Sequence, residues 1–269
     1  MIDICLNIAS DQFKGDAQSI LDNGLKNGCT GFILTGTSLS SSKTVNRIAK
    51  ENINTCCSTA GVHPHDARNW KEAKSVIEKL AQEKITVAIG ECGLDYDRMF
   101  STKEDQKFAF KEQLDIALKF NKPAFLHIRG LGGEEKEVMD DFLEIYKPYV
   151  EKGLKGVVHC FTGSETMLKQ LLDVNVAIGI TGWVCDNKRG LALQKAIPHI
   201  PDHLLMIETD APYLTPKNMP KSLYTRRNEP AYLKYVAEKV AELKGITTEK
   251  LIELTNKNVE KIFGWIPEV

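Results

Sequence analysis

Short apolar runs punctuate the chain at near-regular intervals, and between them apolar residues recur at helical spacing. Residues 2–8 alternate apolar and polar positions and read as a first strand, followed by an amphipathic segment over 17–26. Gly31-Phe-Ile-Leu-Thr-Gly36 reads as the second strand, and 42–51 as a helix entered through serines able to cap it. The third strand is expected over 55–62, a helix with Val76, Ile77, Leu80 and Ala81 inward over 70–83, and the fourth strand over 86–90. A long helix over 101–120 is capped by Ser101 or Thr102 and buries Phe108, Leu114, Ala117 and Leu118. Strands five to eight fall at 123–127, 156–159, 175–179 and 204–208, with helices at 134–149, 165–172 and 190–197 between them. Helical patterns over 231–243 and 248–263 close the chain.

The strands are rich in Val, Ile and Leu, as parallel strands covered on both faces should be. Eight of them alternating with helices predict an α/β fold of the closed (β/α)8 TIM-barrel type rather than an open doubly wound sheet. No G-x-G-x-x-G follows the first strand, which removes the main signature of a dinucleotide fold. A barrel fills 269 residues as one unit, so a single domain over 1–269 is expected.

Apolar residues make up 42% and charged residues 26%, the balance of a globular enzyme rather than a disordered or fibrous chain. The formal net charge of −1 supplies no global positive field, so any nucleic-acid contact must come from a local patch. Seven cysteines, including adjacent Cys56 and Cys57, suit buried thiols in a reducing compartment better than a disulfide framework. No basic-then-apolar leader and no long apolar stretch is visible, so a cytoplasmic protein without membrane attachment is expected.

Candidate chemistry falls where apolar runs stop: Asn7, His63 and His65, Glu91, His127, His159 and Asp210. A lone histidine at a strand end is ordinarily hydrogen-bonded filler, but barrel enzymes gather their chemistry at the C-terminal ends of strands. Imidazoles with carboxylates form a ligand set for Mn²⁺, Zn²⁺ or, where carboxylates and water dominate, Mg²⁺, and such a site points to metal-assisted hydrolysis. Candidate phosphate contacts are Arg129, Lys188, Arg189, Lys217, Lys221, Arg226 and Arg227, and Trp183 and Tyr213 offer stacking faces for a nucleobase. Cys92 and Cys160 adjoin candidate ligands, but strand alternation points them to the opposite face. Two other readings stay open at this point: a small-molecule amidohydrolase such as a deaminase or deacylase, and a binding protein with a decayed site.

Six motifs taken together resemble the TatD family of metal-dependent deoxyribonucleases, within the amidohydrolase-like barrels: Gly61-Val-His-Pro-His65, Gly90-Glu-Cys-Gly-Leu-Asp95, Val158-His-Cys-Phe-Thr-Gly163, Ile180-Thr-Gly-Trp-Val-Cys185, Glu208-Thr-Asp-Ala-Pro-Tyr-Leu214 and Arg227-Asn-Glu-Pro230. The resemblance implies Glu91, His127 and His159 as metal ligands, Asp210 as a ligand or the acid/base, and His63 beside the scissile phosphate. His65, Arg129, Arg227 and Trp183 are the expected substrate contacts. The implied activity is a Mg²⁺- or Mn²⁺-dependent 3′–5′ exonuclease, with Zn²⁺ as another candidate ion. It would act on DNA, single strands preferred, and on RNA, in DNA repair or degradation, as a monomer.

Two departures from the family pattern are visible. Cys5-Leu6-Asn7 stands where many relatives carry His-x-His, which implies one tightly held ion and a second recruited with substrate. Gly130 stands where relatives usually carry an acid, so Arg129 is expected to lose an orienting partner and 130–133 to form a looser loop.

Overall fold

The computed structural model describes residues 1–130 and 132–268. Its strands are β1 (Ile2–Leu6), β2 (Gly31–Leu34), β3 (Cys56–Ala60), β4 (Thr86–Asp95), β5 (Ala124–Arg129), β6 (Gly156–Val158), β7 (Ala177–Ile180) and β8 (Leu205–Ile207). The helices are α1 (Ala17–Lys26), α2 (Leu39–Glu51), α3 (Trp70–Ala81), α4 (Lys103–Lys119), α5 (Glu135–Glu151), α6 (Glu165–Asp173), α7 (Leu191–Ala196), α8 (Leu233–Lys244) and α9 (Thr248–Phe263). Strand order in the eight-stranded sheet follows chain order from β1 to β8, the order of a (β/α)8 barrel. A parallel bridge between Leu6 and Ala211 joins the first strand to the chain just past the last.

Two compact units are distinguishable, Met1–Leu34 with Asn54–Cys56 and Cys160–Val269, and Thr35–Ile53 with Cys57–His159. In the first, all five residues of β1 are buried, Asp3 included. The alternation read along 2–8 therefore does not mark a solvent face. Asp3 is kept inside because Thr209 donates to it from its backbone N at 2.9 Å and from Oγ1 at 2.5 Å. Asn258 on α9 donates to the carbonyls of Asp202 and Leu205 at 2.7 and 2.8 Å, tying that helix to β8.

In the second unit the fourth strand departs most from expectation. The apolar run stops at Gly90, yet β4 continues to Asp95, with Gly93 paired to His127 and Asp95 to Arg129 on β5. Two glycines allow it. Gly90 and Gly93 stand at φ +140° and +141°, and a Cβ added to them would meet the carbonyl oxygens of Phe125 and His127 at 2.0 and 1.9 Å. Only a residue without a Cβ permits that approach. Glu91 thus lies within a strand rather than at its end, and Asp95 shares its face at a spacing of four residues.

Helix α2 starts earlier than the serine pattern indicated, because Ser38 and not a later serine is the cap. The Ser38 side chain accepts from Ser41 N while Ser41 Oγ accepts from Ser38 N. On α4 the cap is Thr102, and the buried face is offset from the apolar pattern: Phe108 is exposed, whereas Gln106 and Gln113 are buried. Seven residues apart, the two glutamines lie on one face. Gln113 accepts from Val62 N at 2.8 Å and donates to Val62 O at 3.0 Å, and Gln106 does the same for Asp95 at 2.7 and 3.0 Å. Amide side chains here replace apolar ones because they satisfy backbone groups at two strand ends.

Two outcomes follow from this packing. Gly93→Ala should destabilise the protein by more than about 4 kcal/mol, or prevent folding, as read by urea unfolding, since backbone rather than a mobile side chain blocks the new methyl. Burial raises the Asp3 carboxyl to about 7 against the hydrogen bonds from Thr209. A folded value above the unfolded one contributes stability at low pH that is lost as pH rises through about 7. The melting temperature of Asp3→Asn relative to wild type should therefore improve steadily from about pH 4 to about pH 8. A difference independent of pH would contradict this.

Candidate metal centre

Glu91 is 4% exposed, with its backbone N donating to Gly36 O at 2.7 Å. Three imidazoles surround one of its oxygens. Oε1 lies 2.6 Å from His159 Nε2, 3.0 Å from His127 Nδ1 and 3.2 Å from His63 Nε2. The His63 ring is oriented by its own backbone: Nδ1 accepts from His65 N at 3.0 Å, which leaves Nε2 to carry the proton toward Glu91. The Gln113 clamp on Val62 fixes the chain just before it. His159 stacks on Phe125 at 5.1 Å, and its backbone N donates to Leu126 O.

Beside this group lies a second buried carboxylate. Asp95 Oδ2 is 2.6 Å from His65 Nε2, 3.3 Å from His127 Nε2, and 3.0 and 2.5 Å from Arg129 Nε and Nη2. Its other oxygen accepts from the backbone N of Asp97 and of Arg98 at 3.1 and 3.0 Å. The sequence pattern assigned Asp95 no role. The available signal was Glu91-Cys-Gly93-Leu-Asp95, two carboxylates of one parity around a glycine, which shows only once the strand is known to run through that glycine.

Arg129 therefore has an orienting partner in Asp95, contrary to the expectation drawn from Gly130. Gly130 is also closely packed: a Cβ there would meet Val138 Cγ1 at 2.7 Å and Glu134 O at 2.9 Å. No acidic side chain fits at that position, and the arginine is served from β4 instead. Leu131, within the loop expected to be loose, lies outside the described residues.

The electrostatics are those of a site built to hold charge. Burial opposes ionisation of Glu91, but the imidazoles of His159 and His63 and the hydrogen bonds of His127 and His159 outweigh it, and the carboxyl stays well below the usual range. Asp95 is likewise held low, burial being overcome by His127, His65 and Arg129. Burial pushes His63 down to about 4 despite Glu91, so it is neutral at pH 7. His127 moves up, because Asp95 and Glu91 together exceed the effect of burial.

Glu91, His127 and His159 each offer one atom, all within 4.8 Å of one another, as do His63, Asp95 and His127. Donor atoms about 2.1 Å from a common ion and at right angles lie about 3 Å apart. The first set, at 2.6 and 3.0 Å from Glu91 Oε1, matches that spacing. In the second set Arg129 already occupies Asp95 Oδ2 and would repel a cation.

The remaining candidates are in the first unit. Asp210, at φ +54°, accepts at Oδ1 from Asn7 Nδ2 at 2.8 Å and from Cys5 Sγ at 3.6 Å. The two residues that depart from the His-x-His pattern thus both face Asp210. Arg227 donates to Asp16 and Gln12 O from Nη1 and to Glu229 from Nη2, over the Phe13 ring. Trp183 is covered by the Arg189 guanidinium at 4.5 Å, and Arg189 and Lys217 both pair with the buried Asp186. These cations have structural partners, a cost that a net-charge count does not reveal.

Parallel strands in barrel order, with a histidine–carboxylate cluster on β4, on β5 and just after β3 and β6, have the features of the metal-dependent hydrolase class. Residues 2–264 match the family described as TatD related DNase. The chain belongs to that family. It is 40% identical over 267 residues to the "3'-5' ssDNA/RNA exonuclease TatD" of Pantoea ananatis, covering 99% of this chain and 100% of that one. To the protein of the same name from Klebsiella pneumoniae it is 44% identical over 265 residues, 98% of each. Among solved structures, a hydrolase TatD family protein from Entamoeba histolytica superposes with TM-score 0.85 at 27% identity, over 98% of this chain and 97% of that one.

Titrating Mn²⁺ into chelator-treated protein should raise its melting temperature. At a hundredfold excess over the dissociation constant the gain is about 2.7 kcal/mol. Glu91→Gln should abolish the shift, and an equal shift in that variant would place the ion elsewhere.

Proposed function

We propose that this protein is a metal-dependent hydrolase of nucleic-acid phosphodiesters, a 3′–5′ exonuclease acting on single-stranded DNA and on RNA, as the names of its relatives state for them. The observation that carries the reading is the crowding of three imidazoles around one oxygen of buried Glu91, with Arg129 alongside. Glu91, His127 and His159 would hold a divalent cation, Mg²⁺ or Mn²⁺ before Zn²⁺. Such an ion supplies Lewis acidity to a phosphoryl oxygen and to an attacking water.

The chain's own residues do the rest. His63, neutral and with its Nε2–H on Glu91 Oε1 at 3.2 Å, would turn that donor to a phosphate oxygen once a cation takes up the carboxylate. Arg129, 31% exposed and braced by Asp95, presents a planar fork suited to the same group. His65 meets the same oxygen of Asp95, Oδ2, at 2.6 Å and lines the approach beside Arg129. Asp210 as ligand or acid/base, and Arg227 and Trp183 as substrate contacts, are assigned on the family motifs alone. Seven free thiols favour a reducing, cytoplasmic setting. No described helix is long and apolar enough to cross a membrane.

Timed digestion of end-labelled single-stranded DNA, with Mg²⁺, Mn²⁺, Zn²⁺ or chelator in parallel, tests the proposal. Shortening from the 3′ end is expected with metal, none with chelator, and rates that fall steeply with salt. A folded Glu91→Ala protein should show background hydrolysis only. Full activity in that variant would overturn the assignment.

A further inference from the structure

Resting on the metal-hydrolase reading, the geometry points to Asp95 as a positioning residue that decides which nitrogen of His127 faces the cation position and that holds Arg129 from the same oxygen. An ionised carboxylate only accepts hydrogen bonds. The contact between Asp95 Oδ2 and His127 Nε2, 3.3 Å and long, therefore calls for a proton on Nε2, just as the 3.0 Å contact with Glu91 Oε1 calls for one on Nδ1 while no cation is bound. Nδ1, turned toward Glu91 Oε1 at 3.0 Å, is then the edge that a cation would take in place of its proton, while Asp95 keeps the proton on Nε2. Without Asp95, the proton is better placed on Nδ1, where it bonds to Glu91 directly and removes the lone pair. A carboxylate behind a ligating histidine commonly sets the tautomer in this way.

Asp95 is built to be immobile. It is fully buried, its backbone is clamped on both sides by Gln106, and its Oδ1 holds the amides of Asp97 and Arg98. Three donors from two segments meet on Oδ2: His65 after β3, and His127 and Arg129 on β5. Cation affinity and phosphate contact thus depend on one carboxylate that belongs to neither set.

Asp95→Asn is the informative change, since Oδ1 can still accept from Asp97 N and Arg98 N while the amide nitrogen replaces Oδ2 with a donor. Provided that circular dichroism shows the fold retained, Mn²⁺ binding by calorimetry should weaken 10- to 100-fold, about the range for lost partners of metal ligands. KM for single-stranded DNA should rise in addition at saturating Mn²⁺, through Arg129. Arg129→Gln should raise KM while leaving Mn²⁺ affinity within about threefold, which a general loss of packing would not do.

A second measurement needs no variant. In ¹⁵N-histidine spectra of the Zn²⁺-loaded wild type, His127 should carry its proton on Nε2 with Nδ1 coordinated. The opposite pattern, or Asp95→Asn binding Mn²⁺ as tightly as wild type, would overturn the inference and leave the metal centre standing. A wild type that binds neither Mn²⁺ nor Zn²⁺ would remove both.

Discussion

A buried carboxylate has to be compensated, and the arrangement around Glu91 is the consequence of that requirement. One oxygen, Oε1, has His159, His127 and His63 within 3.2 Å, each delivered by a different segment. The segments are in turn fixed to satisfy it: Gln113 clamps the chain before His63, Phe125 backs His159, and Asp95 sits behind His127. An acid placed there without these partners would cost several kcal/mol. The local order of the second unit can be read as the structure needed to keep that charge.

Much of the architecture was legible because each strand carries a short apolar run and each helix an apolar stripe. The cluster residues themselves also stood out, at the ends of those runs. What pattern could not supply was anything resting on backbone geometry. The run that ends at Gly90 conceals a strand continuing to Asp95, since glycine is the usual mark of a stop and here marks a close approach to β5. Asp95 was overlooked for the same reason.

Polar residues in apolar roles, and ion pairs between distant positions, also lie beyond what the pattern shows. Gln106 and Gln113 occupy buried positions on α4 where Phe108 was expected to point inward, because they satisfy backbone groups that an apolar side chain would leave bare. Arg189, Lys217 and Arg227, candidate phosphate contacts in sequence, each also carry a carboxylate partner that pattern does not reveal: Asp186 for the first two, Asp16 and Glu229 for the third. Cys5 and Asn7, conspicuous as departures from His-x-His, share one partner in Asp210. Their meaning depends on that contact and not on the missing imidazoles alone.

The glycine pair of β4 also limits how far apart the main chains carrying the cluster can move. With the backbones of β4 and β5 in close approach at Gly90 and Gly93, the main-chain positions of Glu91 and His127 are set by strand spacing, and only their side chains adjust. Any cation held there would be met by side-chain rotation on a frame that the strand pair does not let spread.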